Sequence, residues 1–464
     1  MGFIQKLAGL LPEVARPTQR RLSFKEKLKW TLIILVLFFA LSLVPLFGLG
    51  ENALQQFEFL SVILGASFGS LLSLGIGPLV TASIVLQLLN GSGLVRFDVS
   101  THEGRANFQA TQKVLSIFFI LFEAAIYVFM SGLAPSESLR GTATYLALQL
   151  MLVFQLFLGG LLVMLMDEVV SKWGFGSGIS LFIAAGVSQS IFIRTFSPLP
   201  SPTNPSIMTG AIPALFQSLG AGDPKTAFLM LAAIAATVAV FAIAVFAQSM
   251  KVEIPLSFGR IRGHGIRWPL SFLYTSNIPV ILVAALLANI RLWARLFQNW
   301  GFPILGTYIG NVPATGLVAL LSPPNIVEKL IKGSLTFGDI GTTIVYLSFF
   351  ILGCVLFGWF WVQTAGMDAR SQAKQMISSG LQIPGFRRDE RVLEAVLNRY
   401  VTPLTVMGSI AVGLLAALAD VSGALTSGTG LLLTVMIVYR LYEDIARQHM
   451  MDMNPVLRKF MGGE

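Results

Sequence analysis

The sequence predicts an all-α polytopic membrane protein whose ten transmembrane helices form two inverted five-helix halves. Three observations support this fold class: the composition, the number of long apolar runs and the uneven distribution of basic residues. Of the 464 residues, 55% are hydrophobic and only 12% are charged, and the mean hydropathy is +0.75. Soluble domains carry about 25% charged residues. The single cysteine, Cys354, excludes a disulfide framework and a cysteine metal cluster.

Ten apolar runs approach or reach the length of a membrane span, since about 20 apolar residues cross about 30 Å of hydrocarbon. We number them spans 1 to 10: Thr31–Phe47, Ile76–Leu89, Val114–Met130, Tyr145–Met166, Ile179–Ile193, Thr226–Phe246, Phe272–Ile290, Thr342–Thr364, Pro403–Leu418 and Gly430–Tyr442. Spans 2 and 10 are short, which is typical of helices packed inside a bundle or completed by a neighbouring half-helix.

The basic residues predict the orientation of the spans. Of the 32 Lys and Arg residues, 25 lie before span 1, in the loops that follow even-numbered spans, or between Arg440, near the end of span 10, and the C-terminus. Lys and Arg concentrate on the cytoplasmic side of membrane proteins, so both termini are predicted to be cytoplasmic. Residues 1–30 contain no cleavable signal peptide. Phe24 and Leu28 lie four residues apart among basic residues, which predicts an amphipathic helix at the membrane surface.

Ten spans divide into five and five, and an odd number per half reverses the orientation of the second half, as in an inverted repeat. Spans 2 and 7 then correspond, and each carries a proline in a similar setting, Pro78 and Pro279. The predicted organisation is an N-terminal segment at 1–30, a first half at 31–194, an external loop at 195–225, a second half at 226–442 with cytoplasmic loops at 248–271 and 365–402, and a cytoplasmic tail at 443–464.

The stretch before span 2 is the first candidate for a functional path. Gly75, Gly77 and Pro78 lie where two hydrophobic pieces meet, which predicts a broken helix. Broken backbone is tolerated in lipid only where it is buried in protein or lines a water-filled cavity. The preceding Phe57–Gly69 would extend only about 20 Å as a helix, too short to cross the membrane. This segment is predicted to be either a movable stopper or a re-entrant structural loop.

Several motifs resemble those of the SecY family, the pore-forming alpha subunit of the Sec protein-translocation channel, and they occur in family order. The motifs are Gly75-Ile76-Gly77-Pro78 and Gln87-Leu88-Leu89 in span 2, Gly174-Phe175-Gly176-Ser177-Gly178-Ile179-Ser180 before and in span 5, Lys251-Val252-Glu253-Ile254-Pro255 in loop 6/7, Thr275-Ser276-Asn277-Ile278-Pro279 in span 7, Gly385-Phe386-Arg387-Arg388 in loop 8/9 and Gly428-Thr429-Gly430 before span 10. The motif in loop 6/7 is similar to the archaeal and eukaryotic branch of the family.

The resemblance implies an hourglass-shaped central pore, narrowed by a ring of apolar side chains and closed by a plug half-helix at about 57–69. The implied ring positions are Ile76, Val80, Phe175, Ile179, Ile281 and Leu433. The implied plug positions are Phe57, Ser61, Gly65 and Ser67. A narrow apolar constriction excludes water and therefore opposes ion flow. Judged by residue type alone, ordinary helix packing explains each ring position better than a ring does, and Phe175 departs from the aliphatic type usual there.

The same resemblance implies a lateral gate between spans 2 and 3 on one side and spans 7 and 8 on the other. The polar candidates at this gate are Thr81, Ser83, Gln87, Glu123 and Asn277. Side-chain hydrogen bonds within the membrane contribute only about 0.6 kcal/mol on average, so they can hold a gate closed and still release it. Glu123 is an ionisable residue inside a span, which indicates a functional role or a structural hydrogen bond to a neighbouring helix.

Two cytoplasmic loops concentrate basic residues and carry signals for local structure. Loop 6/7 contains Lys251, Arg260, Arg262 and Arg267, and loop 8/9 contains Lys374, Arg387, Arg388, Arg391 and Arg399. Asp368 and Asp389 are predicted to cap short helices, with Gly380 ending the first. Arginine donates bidentate hydrogen bonds to phosphate, and the resemblance implies that these loops dock the ribosome. Retention of loops by the positive-inside rule is the simpler alternative.

The resemblance also implies the partners, the location and the absence of a cofactor. The partners would be a SecE-type single-span subunit, a small Sec beta or SecG-type subunit, the ribosome, signal peptides and nascent chains, and membrane lipid. The location would be the cell (plasma) membrane, with a multi-pass topology. The function implied is a passive protein-conducting channel, driven by a bound partner such as the ribosome, without enzymatic activity.

Three other classes of function receive less support from the residues. The first class is an enzyme. The three histidines, His102, His264 and His449, lack metal-ligand spacing, and the spans lack a pair of acids for aspartyl catalysis. Inverted repeats and broken helices also occur in ion-coupled secondary transporters, but such carriers place several polar groups at mid-membrane, and here Glu123 is the main one. A structural assembly subunit leaves the stopper segment and the basic loops unexplained.

Overall fold

The computed structural model consists mainly of α-helices. It describes residues 11–19, 22–49, 69–91, 94–95, 97, 102–129, 133–199, 207–258, 265–275, 277–309, 312–378, 381–382 and 389–453. Each predicted span contains a helix, and these helices are labelled in chain order: α1 Phe24–Ser42, α2 Gly77–Gly91, α3 His102–Phe129, α4 Ala143–Trp173, α5 Gly178–Phe196, α6 Pro224–Ser249, α7 Ile278–Asn299, α8 Phe337–Thr364, α9 Glu390–Val421 and α10 Gly428–Met453. Four shorter α-helices are Ala211–Gly220, Gly316–Leu320, Ile326–Lys332 and Ala369–Ser378.

Within the described residues, seven stretches are long and apolar enough to cross a membrane. They contain α3 to α9. The other three helices fall short for physical reasons that the sequence makes plain. Helix α2 has only 15 residues, and α1 and α10 each carry several charged residues within the helix. The chain is therefore a multi-pass helical membrane protein, and the predicted number of ten spans stays a proposal.

Helix α1 begins earlier than span 1. The Ser23 hydroxyl accepts a hydrogen bond from the Glu26 N–H, and the Glu26 carboxylate accepts one from the Ser23 N–H, which together form a capping box. Because this box starts the helix at Phe24, Lys25–Trp30 form its first turns and continue directly into the apolar run. The surface helix predicted within residues 1–30 is thus the beginning of α1 rather than a separate element.

Two other helices differ from the predicted spans in where they begin. Span 7 was predicted from Phe272, but the described residues between 272 and 277 form bends and turns, and α7 begins at Ile278. Span 9 was predicted from Pro403, but α9 already begins at Glu390 and contains Pro403. Its N-cap is Asp389, whose side chain accepts a hydrogen bond from the Arg391 N–H at 3.0 Å. Asp389 is therefore a cap as predicted, but of a long helix.

The two basic loops fold together with the beginning of α9. Strands β1 (Lys251–Phe258) and β2 (Gly265–Ser271) form an antiparallel hairpin, and β3 (Leu381–Gln382) pairs with the end of β1. The helix Ala369–Ser378 begins after Asp368, which accepts a hydrogen bond from the Ser371 N–H and confirms the predicted cap. We call residues 251–275 and 365–404 the loop module. Its described core is apolar and buried and is joined by Val362 from the end of α8: Ile254, Leu270, Tyr274, Val362, Ala369, Ala373, Met376, Leu393, Leu397, Val401 and Leu404.

The chain divides into two compact units. The first comprises Met1–Leu86, Phe97–Ser190 and Ile437–Glu464, and the second comprises Gln87–Arg96 and Ile191–Met436. In the first unit, buried residues of α3, α4 and the segments before α2 and after α3 form one apolar core: Leu46, Leu74, Ala124, Val128, Leu133, Leu152 and Leu156. The second unit has a larger membrane core built mainly from α7, α8, α9 and α10.

Candidate functional site

The segment before α2, residues 69–76, is non-helical and buried. Gly69 and Gly75 have φ angles of +85° and +53°, in the left-handed region that glycine adopts without strain. Leu72, Leu74 and Ile76 are each at most 2% exposed. The break predicted before Gly77 is therefore present, and it lies inside the first unit rather than at its surface.

The backbone of this segment is satisfied by neighbouring backbone groups. The Leu71 N–H donates to the Val44 carbonyl at 2.9 Å, and the Leu46 N–H donates to the Gly69 carbonyl at 2.9 Å. Helix α4 packs against the same segment so closely that a Cβ atom on Gly159 would lie 1.9 Å from the Leu71 carbonyl oxygen. The irregular backbone is thus held between the end of α1 and the face of α4, as its polar groups require in a dry environment.

The predicted plug positions Phe57, Ser61, Gly65 and Ser67 lie outside the described residues. The described chain resumes at Gly69, directly before the buried segment.

Five of the six predicted ring residues are buried or partly buried aliphatic side chains. Ile76 is 2% exposed and Leu433 is 6% exposed, and Val80, Ile179 and Ile281 are partly buried. Exposed apolar side chains do occur on the same helices, and they are Leu88 on α2, Phe192 on α5, Leu286 on α7 and Val438 on α10. None of the five ring candidates is exposed: Val80, Ile179, Ile281 and Leu433 lie on helices, and Ile76 lies in the buried non-helical segment before α2.

Phe175 has a set of packing contacts that accounts for its position. Its ring lies 5.4 Å from the ring of Phe24, measured between centroids, and the Lys27 ammonium lies 5.9 Å from the Phe175 centroid. Its backbone N–H donates to the Thr31 hydroxyl at 3.1 Å. These contacts bind the residue to the beginning of α1, and they favour the packing interpretation over the ring interpretation for Phe175.

Four of the predicted gate residues lie on α2 or α3, and the fifth, Asn277, lies directly before α7. The Thr81 hydroxyl on α2 donates to the Gly77 carbonyl at 2.9 Å and lies near the Glu123 carboxyl on α3. Glu123 therefore has a polar neighbour on the adjacent helix. Ser83 and Gln87 are partly buried on α2. Asn277 directly precedes α7, and its carbonyl accepts the Ile281 N–H at 3.2 Å.

Two described basic residues of the loop module form exposed ion pairs. Arg267 on β2 pairs with Glu253 on β1 at 3.1 Å, and Lys374 lies 3.9 Å from Glu390. Exposed pairs of this kind contribute little to stability, so their basic groups stay accessible to a polyanion. Arg260, Arg262, Arg387 and Arg388, the other predicted docking residues, lie outside the described residues.

A cluster at the end of α4 was missed by the sequence reasoning. Glu168 pairs with Lys113 at 2.6 Å and accepts the Val14 N–H at 3.0 Å, while Lys172 donates to the Val14 carbonyl at 2.7 Å. Lys172 also pairs with Glu13, and this ammonium group lowers the pKa of Glu13. Residues 12–15 are thus held against α3 and α4. The signal available in the sequence was the presence of Asp167 and Glu168 in an otherwise apolar helix.

Two family models together match residues 36–442 of the chain. A family model described as SecY matches residues 70–442, and a model described as the plug domain of Sec61p matches residues 36–69. The protein translocase subunit SecY of Methanothermobacter thermautotrophicus is 46% identical over 462 residues, which cover 99% of this chain and 98% of that protein. The corresponding subunit of Pyrococcus furiosus is 43% identical over 474 residues, with 99% of both chains covered.

Solved structures match to a similar extent. The structure of a protein-conducting channel is similar with a TM-score of 0.81 and 42% identity, covering 98% of this chain and 99% of the other. Sec61 in the canine ribosome–channel complex from the endoplasmic reticulum is similar with a TM-score of 0.79 and 40% identity, with the same coverage. A family model that spans most of the chain and relatives above 40% identity over nearly its full length lead to one conclusion: the chain belongs to the SecY family.

Proposed function

We propose that this chain is the central pore subunit of a protein-conducting channel, which moves unfolded polypeptides across the membrane and releases hydrophobic segments sideways into the bilayer. Its relatives are protein translocase subunits, and its structural neighbours are protein-conducting channels. The observation that carries the proposal is the buried, non-helical segment before α2. Backbone of this kind is tolerated at membrane depth only inside protein or along a water-filled path.

The constriction in this proposal is a ring formed by Ile76, Val80, Ile179, Ile281 and Leu433. The support is that each side chain is aliphatic and is buried or partly buried. A narrow apolar ring excludes water and so resists ion flow, while flexible aliphatic side chains can fit around polypeptides of different sequence. We leave Phe175 out of the ring because its contacts with Phe24, Lys27 and Thr31 account for it.

The plug and the lateral gate complete the proposed channel. The plug is assigned to about 57–69, which falls within the segment matched by the plug-domain model. The gate is assigned to the seam between α2 and α3 on one side and α7 and α8 on the other. The contact between Thr81 and Glu123 supports a polar lining on the α2 and α3 side. Opening the seam costs little if such contacts are worth about 0.6 kcal/mol each.

The partners and the orientation follow from the charge distribution and the relatives. We propose ten spans with both termini in the cytoplasm, in the cell membrane, so that the loop module faces the ribosome. A structural neighbour is a channel bound to a ribosome, and the exposed basic groups of the loop module suit ribosomal RNA phosphate. A SecE-type subunit and a Sec beta or SecG-type subunit are the further proposed partners. The bound partner supplies the energy, and the chain itself acts as a passive conduit.

The test of the conduit is crosslinking of a stalled nascent chain to single cysteines in the pore. The variants are Ile76→Cys and Ile281→Cys in a background in which Cys354 is replaced by Ala. A translocating chain passes the ring, so both cysteines are expected to crosslink to it, whereas a carrier of small solutes would give no such product. The matched control is Leu286→Cys, which lies on α7 like Ile281 but is exposed.

The control separates the pore from the lipid-facing surface of the same helix. Crosslinking at Ile281 well above that at Leu286 supports the proposal. Equal yields at both positions, or no product at Ile76 and Ile281 with an engaged nascent chain, would contradict the conduit.

Ribosome docking is tested by reversing charge in the loop module. Arg262→Glu and Arg387→Glu place an acidic group where phosphate would bind, so each is expected to weaken ribosome binding about tenfold, the effect of about 1.4 kcal/mol. Membrane insertion should be unchanged. The control is Arg140→Glu, an exposed charge reversal in the connection between α3 and α4, on the opposite predicted side. Cosedimentation with ribosomes from salt-washed vesicles measures the effect, and binding equal to that of the control would remove the docking assignment.

A further inference from the structure

Two aspartates occupy equivalent places in the two predicted halves, and each binds the beginning of the next helix. Asp167 lies near the end of α4 and binds the first N–H groups of α5, and Asp420 lies at the end of α9 and binds the first N–H group of α10. In the predicted five-plus-five arrangement, α4 and α5 correspond to α9 and α10. We propose that Asp167 and Asp420 are positioning residues that fix the pore-lining helices α5 and α10, an inference that rests on the proposed pore.

The backbone at the beginning of α5 packs directly against Asp167, without space for a side chain at Gly178. The Ile179 N–H donates to the Asp167 Oδ1 atom at 2.9 Å, and the Gly178 N–H donates to the same carboxylate. A Cβ atom on Gly178 would lie 2.6 Å from the Cα atom of Asp167 and 2.8 Å from its Oδ1 atom. Glycine at this position therefore lets the start of α5 contact α4 directly, and the carboxylate sets the distance between the two helices.

The contact at Asp420 has the same form and one additional partner. The Gly428 N–H donates to the Asp420 Oδ1 atom at 2.6 Å, and the Tyr346 hydroxyl on α8 donates to the Oδ2 atom at 2.7 Å. A Cβ atom on Gly428 would lie 2.2 Å from the Ala416 carbonyl oxygen. Glycine again allows the start of one helix to touch the preceding helix. Both carboxylate oxygens of Asp420 are thus engaged by neighbouring elements.

These contacts act directly on proposed ring residues. The first N–H groups of a helix have no partner within the helix, and they attract negative charge. Ile179, a ring residue, donates its own N–H to Asp167. Leu433 lies five residues after Gly428, about 7.5 Å along α10 at a rise of about 1.5 Å per residue. Movement of either helix end would therefore displace an aliphatic side chain of the ring.

An ordinary helix cap in the same chain provides the contrast. Asp223 precedes α6 and accepts hydrogen bonds from Lys225 and Thr226 of that same helix. Its side chain caps the beginning of α6 itself, whereas its bond to the preceding helix Ala211–Gly220 is a backbone one, from the Asp223 N–H to the Ser218 carbonyl at 2.9 Å. Asp167 and Asp420 are remote in sequence from the amides they bind, by 12 and 8 residues. Each of these two side chains therefore lies on one helix and holds the beginning of the next.

The experiment compares alanine and asparagine at both positions in the full-length chain reconstituted into vesicles. Asp167→Ala and Asp420→Ala remove the acceptor and should raise resting ion conductance about fivefold, the scale of a lost helix cap. Asp167→Asn and Asp420→Asn keep an acceptor oxygen and should restore conductance to near the original value. Asp223→Ala is the matched control, expected to leave conductance unchanged. If an alanine variant does not accumulate, the serine variant replaces it, because its shorter side chain cannot reach the same amide.

A second readout separates this inference from the proposed pore. Amide hydrogen exchange at the beginnings of α5 and α10 should accelerate in the alanine variants and not in the asparagine variants. Ile179→Asn, a polar substitution in the ring, should raise conductance independently of the aspartates. If Ile179→Asn raises conductance and the alanine variants do not, the positioning role is overturned and the ring stands. If the alanine variants accelerate exchange but neither they nor Ile179→Asn raise conductance, the ring is overturned, and with it the role of the aspartates in the pore. Exchange that is unchanged in the alanine variants overturns the contacts themselves.

Discussion

The membrane-spanning helices and the loop module are held together in different ways. Glycines bring the long helices into direct contact: a Cβ atom on Gly160 would lie 2.4 Å from Ile120, and one on Gly358 would lie 2.2 Å from the Ser409 hydroxyl. The loop module instead buries large apolar side chains, with Met376 and Leu397 almost fully covered. Lipid offers no hydrophobic driving force between helices, so close packing at small residues replaces it, whereas water outside the membrane supplies that force.

The difference predicts opposite sensitivities to the size of a substitution. Removing volume should be most harmful in the loop module, where burial of apolar surface supplies the stability. Adding volume should be most harmful between the long helices, where backbones approach each other at glycine. The predictions that follow are arranged from the largest expected effect to the smallest.

The largest effect is expected from a cavity in the loop module. Met376→Ala removes a side chain that is 2% exposed in the module's core, and it should destabilise the module by about 3 kcal/mol. Limited proteolysis in urea measures the local unfolding. The control is Met407→Ala, because Met407 on α9 is 56% exposed and its loss leaves no cavity. Equal protease resistance of the two variants would contradict a core of this kind.

The next effect is expected from added volume at the contact between α4 and the segment before α2. Gly159→Ala would place a Cβ atom 1.9 Å from the Leu71 carbonyl oxygen, and overpacking of this kind costs about 2 kcal/mol. Thermal unfolding in detergent measures the loss. Gly341→Ala on α8 is the control, since nothing lies within 4 Å of its Cβ position, and it should be neutral or slightly stabilising. A Gly159→Ala variant as stable as the control would show that the segment moves without cost.

The membrane helices were predictable because their signal is long and repeated. Each predicted span overlaps one long helix of the structure. Their beginnings were less predictable, because a cap depends on two or three polar residues outside the apolar run. Ser23 and Glu26 start α1 seven residues before the apolar run at Thr31. Asp389 likewise starts α9 well before Pro403. In both cases the polar turns are helical because of their caps, and hydropathy alone does not predict that they are helical.

The hairpin of the loop module had a signal that the charge pattern concealed. Lys251 and Glu253 are exposed, while Val252 is partly buried and Ile254 is buried, which is the alternation expected of a half-buried strand. Local structure was predicted from the caps in loop 8/9, but in loop 6/7 the basic residues were interpreted as docking residues and no strand was predicted. The ion cluster of Glu168, Lys113 and Lys172 was missed for another reason. Glu168 and Lys172 lie four residues apart on α4, but Lys113 lies on α3, and only the packing of α3 on α4 brings it to Glu168.

The smallest effect concerns one hydroxyl that closes the loop module. The Tyr274 hydroxyl donates to the Met367 carbonyl at 2.6 Å, and burial raises the pKa of Tyr274 to about 12. Since tyrosine in an unfolded chain has a pKa of about 10, the stability contributed by the neutral hydroxyl is complete below pH of about 10 and is lost as the pH rises toward 12. Tyr274→Phe should cost about 1 kcal/mol at neutral pH through the lost hydrogen bond.

The pH dependence then distinguishes this hydroxyl from a general loss of packing. Above a pH of about 10 the tyrosine ionises in the unfolded chain while it stays neutral in the folded chain until about 12, and phenylalanine does not ionise at all. The stability advantage of the original chain over Tyr274→Phe should therefore shrink as the pH rises from about 9 to about 11.5. Urea unfolding of the loop module at several pH values measures this difference. Tyr442→Phe, at an exposed tyrosine of α10, should show no such trend. A difference for Tyr274→Phe that stays constant with pH would mean that the hydroxyl ionises as freely in the folded module as in the unfolded chain, so that burial around Tyr274 would be too loose for the module to have a closed apolar core.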